Sequence, residues 1–313
     1  LLFSGLGASL VIFILTYFFS KQPLTKKQLV EKHAFAIQGG RDVSVEQVTV
    51  NMSSISVTDV KEVCLLVFND NFPRLRDEAY AAARSNVDKL IPLIDKKIRD
   101  HLAFIDFGRL TDPDIQASLN DAVQATARKG VVLDIELLGE LIATRLRIDS
   151  SDFLSIVAQE CIQILPKLTN RQLAFITLSI GLSVHRVNPP IMSILELEED
   201  AKILLPFVEK GFGLPKSEKL HMISLGVAIN QIFAYEGKWA TLSKKFVFLN
   251  TLNNPIDAVR SEAPIYSLIL DKYKEVESLE LTAVGKLIGC ILLARAFPIF
   301  DPLVTFSIFD MEK

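Results

Sequence analysis

The first twenty residues, LLFSGLGASLVIFILTYFFS, carry no charged side chain. A helix of about 20 apolar residues spans the ~30 Å hydrocarbon core of a bilayer, where every backbone polar group must find its partner within the segment. Residues 1–20 are therefore expected to form a transmembrane helix. A signal peptide would have a shorter apolar region and a small-residue cleavage site. Here the run closes on Tyr17, Phe18 and Phe19 and passes into SKQPLTKKQLVEKH. Aromatic rings suit the headgroup level, and Lys21, Lys26, Lys27 and Lys32 mark a cytoplasmic flank. The expectation is a single-pass anchor, a basic juxtamembrane helix over 21–34, and a C-terminal domain in the cytoplasm. Because the chain starts at Leu1 rather than Met, further residues are expected upstream. Ser4, Gly5, Ala8 and Ser9 give small-xxx-small spacing twice, which lets membrane helices approach closely.

Residues 35–55 pose a different problem. Phe35, Ile37, Val43 and Val45 alternate with Gln38, Asp42, Ser44 and Glu46, the period of a strand. At Glu46-Gln47 the phase flips, so that Val48 and Val50 carry the apolar side, as at a β-bulge. Gly39 and Gly40 permit a turn or the close approach of another backbone. A lone strand leaves its ladder groups unpaired. The one other strand-like stretch is LVTFSIF, Leu303 to Phe309, which alternates poorly. Pairing with the same segment of other copies closes the edges most economically. Homo-oligomerisation through Gln38 to Val50 is the expectation, with pairing to the C-terminal tail, or a partly disordered segment, as the alternatives.

From Ser56 onward the punctuation is helical, so the fold class is mainly α: a bundle or solenoid-like stack of amphipathic helices joined by short connections. SVTDVKEVCLLVFNDNF puts Val60, Val63, Cys64, Val67 and Phe68 on one stripe. RLRDEAYAAARSNVDKLIPLIDKKIRDHL is a long amphipathic stretch that Pro92 kinks or splits. LTDPDIQASLNDAVQATARKG starts at Thr111 and Asp112, with Pro113 in the first turn, and stops at Gly130. Further helices are expected over 217–234, 239–250 and 276–297. Residues 188–216, rich in proline and glycine, form the expected hinge between a first helical layer (56–187) and a second layer with its tail (217–313). The apolar run Leu287 to Leu293 is too short, between Lys286 and Arg295, for a second span.

Composition narrows the function. The chain has 313 residues and a formal net charge of −3 with its cations scattered, so no basic stripe suits nucleic acid. Its three cysteines, Cys64, Cys161 and Cys290, lie far apart and read as reduced, buried thiols. No P-loop, GxGxxG, GxSxG or HExxH pattern is present. His185-Arg186 and the acidic run Glu196, Glu198, Glu199 and Asp200 read as a helix C-terminus and a solvated first turn. His33, His101 and His221 have no second ligand at helical spacing. No catalytic residue, metal site or cofactor is expected.

AIQGGRDVSVEQVTV, SVTDVKEVCLLVFNDNFPRLRDEA, LTDPDIQASLNDAVQATARKG and PKLTNRQLAFITLSI together resemble an uncharacterised bacterial family, over roughly residues 36–180. Its members pair a Q-x-G-R-D strand with a helical domain. The usual motif reads closer to QAGRD, with an Ile after it; Gln38-Gly39-Gly40-Arg41-Asp42-Val43 keeps the core with Gly for Ala. The resemblance carries no activity. It implies an assembly role for the strand and a place in bacterial phage defence. The anchor then belongs in a bacterial inner membrane.

The resulting expectation is a membrane-anchored, homo-oligomeric assembly or effector protein. Its partners would be the lipid bilayer, other copies of itself, and a separate protein or small ligand sensed by the helical domain. A membrane-tethered hydrolase and a passive scaffold are the rivals.

Overall fold

A computed structural model of the chain describes residues 57–71, 77–183, 191–231, 242 and 246–311. The fold is mainly helical. The anchor, the juxtamembrane segment and the strand lie outside the described residues. So do all the residues named for them: Ser4, Gly5, Ala8, Ser9, Lys21, Lys26, Lys27, Lys32, Gln38, Gly39, Gly40, Arg41, Asp42, Val43, Val45, Val48 and Val50. Among the described residues no helix is long and apolar enough to cross a membrane.

Contacts divide the chain into two compact units. The first takes in the described residues up to Arg128 with Leu146–Ile148; the second takes in Lys129–Arg145 and the described residues from Asp149. In the first unit, α1 (Val57–Asn71) packs on α2 (Asp77–Asp100). Ala83, Val87, Leu90, Ile94 and Ile98 recur every three or four residues along α2, so one face is buried. The rings of Phe68 of α1 and Tyr80 of α2 meet at a tilt of 53°, with centroids 5.1 Å apart. Pro92 sits inside α2 without ending it. The third helix, α3 (Pro113–Lys129), starts where Asp112 accepts the Asp114 N–H at 2.9 Å and ends before Gly130, whose φ is +56°. Asn86 ties α2 to α3 by donating to the Ala127 carbonyl.

The second unit is built on two helices that are buried nearly all round, α6 (Asn170–Ser183) and α12 (Ala283–Ala296). Around them lie α4 (Ile135–Leu146), α5 (Asp152–Ile164), α7 (Ile194–Val208), α8 (Lys216–Ser224), α9 (Pro255–Glu262), α10 (Pro264–Asp271), the short α11 (Tyr273–Val276) and α13 (Pro302–Met311). Helix α12 packs on α5, α6, α7 and α13, and α6 packs on α7. Two glycines let neighbouring elements approach α12 closely. A Cβ on Gly285 would lie 2.3 Å from the Val227 carbonyl oxygen, and one on Gly289 2.3 Å from Cγ1 of Ile180. A second apolar cluster, including Ile194, Leu197, Phe246, Val259 and Leu270, joins α7 to α9 and α10.

Several expectations need correction. The helix expected over 217–234 ends at Ser224, because Gly226 takes φ +73° and closes a Schellman motif. Val227 donates to the Met222 carbonyl and Gly226 to that of Ile223, each at 3.0 Å. The chain then enters β1 (Ala228–Asn230), antiparallel to β2 (Leu279–Leu281), with Ile229 opposite Glu280. The helix expected over 276–297 is thereby split, and α12 starts only at the Thr282 cap. Of the expected 239–250 helix, Leu242 is helical and its carbonyl accepts the Phe246 N–H at 2.8 Å, and the chain then tightens into a 3-10 turn at Val247–Thr251. The tail 303–309 is helix, not strand: Asp301 accepts the Leu303 and Val304 N–H groups and Pro302 fills the first position. Residues 191–216, read as part of a hinge, hold the 15-residue helix α7, with Pro206 inside it, and belong to the same compact unit as residues on either side.

Candidate functional site

Helix α7 begins with a reciprocal cap. Ser193 accepts the Glu196 N–H at 3.3 Å, and the Glu196 carboxylate accepts the Met192 N–H at 2.8 Å. One turn on, Glu198 is 5 % exposed and reaches across to α10, where it accepts the Ile265 and Tyr266 N–H groups at 2.9 and 3.2 Å. A carboxylate at a helix N-terminus meets both unpaired amides and the positive end of the dipole. The acidic run is thus not a solvated turn throughout: Glu196 caps its own helix and Glu198 caps a neighbour.

This clamp holds the start of α10, and with it Tyr266, which lines a cavity of ≈ 60 Å³ together with Asp200. The end of α12 supplies Phe297 and Phe300, held in one turn by the hydrogen bond from the Phe300 N–H to the Phe297 carbonyl at 3.0 Å. Phe246 closes another side, and Leu204 lines the floor against Gly181, where a Cβ would meet its Cδ2 at 3.0 Å. Two ring pairs are nearly perpendicular: Phe246 with Tyr266 (6.2 Å, 82°) and Phe297 with Phe300 (5.8 Å, 83°). The Tyr266 phenol is enclosed, and burial pushes its pKa above the ordinary value. Among the described residues that line the cavity there is no lysine, arginine or histidine.

Other candidates resolve into packing. Cys64, Cys161 and Cys290 are buried and burial raises their thiol pKa values, to about 12 for Cys64 and Cys290. Thiols held protonated in this way are weak nucleophiles. His221 is exposed, with Nδ1 3.1 Å from Nε2 of the buried Gln172. The Lys219 ammonium lies over the Phe175 ring at 5.2 Å and donates to the Glu275 carbonyl at 2.6 Å; burial lowers its pKa. Among the described residues no group of three or more His, Cys, Asp or Glu is placed to hold a metal ion. His185 and Arg186 lie outside the described residues.

Reading by motif misses the cavity because its residues come from five separated stretches and share no local pattern. The spacing of Phe297 and Phe300 is the faintest local sign of it.

A family model whose description reads only ":-like" matches residues 54–249, more than half of the chain. No curated protein and no solved structure matches it.

Proposed function

The chain belongs to this uncharacterised family, and from that premise we propose that it is a membrane-anchored, homo-oligomeric assembly or effector protein whose helical domain senses a partner or ligand. The cavity between α7, α10 and the end of α12 is the observation that carries the sensing part: it is mostly apolar, with two polar groups, Asp200 and Tyr266, converging on it. The uncharged run 1–20 and the alternating segment Gln38 to Val50 carry the anchoring and assembly parts. The Q-x-G-R-D-like segment supports a defence role, in which rearranged anchors perturb a bacterial inner membrane.

The mass of the full chain in detergent tests assembly, intact and with Val43→Asp and Val45→Asp. A defined multimer that dissociates on substitution is expected; a monomer in both cases overturns the assembly reading. Replacing residues 1–20 with an unrelated span should abolish the effect of the protein on membrane permeability in bacterial cells. Filling the cavity with Leu204→Trp should abolish the response and leave the multimer intact. A response that survives Leu204→Trp removes the cavity from the sensing step.

A further inference from the structure

We propose that the open edge of β1 takes up the segment Gln38 to Val50 of a neighbouring copy as a third strand. The inference rests on the assembly reading and adds the surface that receives the strand.

The ladder between β1 and β2 decides which backbone groups are left over. Ile229 stands opposite Glu280. On either side of that pair, the Thr282 N–H donates to the Val227 carbonyl at 3.0 Å and the Gln231 N–H donates to the Ser278 carbonyl at 3.2 Å. Hydrogen-bonded pairs alternate along an antiparallel ladder, so Val227, Ile229 and Gln231 turn their backbone groups toward β2. Ala228 and Asn230 turn theirs the other way. Among the described residues no hydrogen bond takes up the N–H and C=O groups on that side. Such a row is a template for another strand, and a two-stranded sheet by itself is marginal.

Side chains mark the same edge as open. Ile229 is 50 % exposed and Asn230 is exposed, whereas Leu279 and Leu281 of β2 are buried. Where β1 ends, the Gln231 amide oxygen is buried without a hydrogen-bond partner, an acceptor that an added N–H would satisfy.

The occupant follows from what each side lacks. Gln38 to Val50 carries the alternation of a strand and no proline, so none of its ladder donors is missing. Ile229 faces a carboxylate, Glu280, across β2. Val43 and Val45 would supply the apolar cross-strand neighbours that β2 does not give it. One edge and one strand per chain make a heterologous contact, which repeats from copy to copy and closes into a ring where the rotation allows.

The test replaces Ile229 with the photoreactive residue p-benzoylphenylalanine in the full chain in detergent. Irradiation is expected to give a covalent dimer on a denaturing gel, attached within residues 38–50 of the second chain by mass spectrometry. Asn230→Pro removes an N–H that points away from β2 and leaves the β1–β2 ladder whole. It should weaken the multimer at least about tenfold at an unchanged unfolding midpoint. Asn230→Ala keeps the N–H and should leave the multimer as it is. If Asn230→Pro lowers the midpoint, the cross-link alone decides. A multimer that gives no covalent dimer, or one attached outside residues 38–50, overturns the docking and leaves the assembly reading standing. Attachment to residues 38–50 within a single chain overturns the exchange between copies. A monomer throughout overturns both readings.

Discussion

Asp134 and Arg295, 161 residues apart in the chain, meet as a two-pronged ion pair, with Nη1 to Oδ2 at 2.8 Å and Nη2 to Oδ1 at 2.9 Å. The same Asp134 carboxylate accepts the Leu137 N–H at 2.9 Å, so it caps α4 while it receives the fork from α12. Both side chains are about one-fifth exposed, which limits screening by solvent. Asp134→Ala removes a cap and leaves a half-buried guanidinium without its carboxylate, at an expected cost of about 2–3 kcal/mol. Arg295→Lys keeps the charge and loses the fork, at about 1 kcal/mol. Urea unfolding of the two variants measures both, and equal losses would show that the fork geometry contributes nothing.

Helix α12 depends on glycine where sequence propensity argues for alanine. Gly285→Ala would gain up to ~1 kcal/mol of helix propensity in an exposed helix. Here the added Cβ would meet backbone, the Val227 carbonyl oxygen, at 2.3 Å. A net loss of about 1–3 kcal/mol is expected, since neither element can withdraw without opening the β1–β2 junction. At Gly289 the obstacle is a side chain, Ile180, so Gly289→Ala combined with Ile180→Ala should cost less than the sum of the single changes. Thermal unfolding of this double-mutant cycle gives the coupling, and strict additivity would show that the two helices are not in close contact there.

How much of this was legible in the sequence follows the range of the interactions. The limits of α3 are readable because they rest on neighbours: Asp112 caps, Pro113 pre-sets the first turn, and Gly130 adopts positive φ. The tail misleads because Val304, Thr305, Phe306 and Ile308 are strand formers by composition, while Asp301-Pro302 starts a helix over them. The strands β1 and β2 escape notice because three residues hold no measurable alternation, and their pairing spans about fifty residues of chain. Glu198 reads as one more surface acid until α10 is placed beside it. Beyond the spacing of Phe297 and Phe300 the cavity has no local signature, since Asp200, Phe246, Tyr266 and Phe297 are brought together only by packing.

Glu198 links that packing to the cavity, and its substitution separates two contributions. Glu198→Gln keeps an acceptor for the Ile265 and Tyr266 amides but loses the charge that favours the N-terminus of α10. An expected loss of about 1 kcal/mol for Gln, against about 2–3 kcal/mol for Ala, reflects amides left buried and unpaired in the second case. Hydrogen exchange at Ile265 and Tyr266 should accelerate in Glu198→Ala and change little in Glu198→Gln. Unchanged exchange in both variants would mean that these amides have another acceptor.

The buried thiols make stability depend on alkaline pH, with a definite sign. In the unfolded chain each cysteine loses its proton near its ordinary value of 9.0, whereas burial holds Cys64 and Cys290 protonated up to about 12. Between these limits the folded state binds more protons than the unfolded state, so stability falls as pH rises. Below about pH 8 the thiols contribute no pH dependence, and above pH 9 each costs up to ~1.4 kcal/mol per pH unit until its folded-state pKa is reached. Cys161 adds to the trend in the same direction, because its thiol is also pushed up by burial and by Glu160. Replacing Cys64, Cys161 and Cys290 with alanine should flatten the urea midpoint between pH 9 and 11, at some loss of packing below pH 8. At pH 8 the native thiols should react with a disulfide reagent only as fast as the protein opens, and all three at once in urea. Rapid reaction of any one thiol in the native state would place that cysteine at an accessible surface and remove its share of the pH dependence.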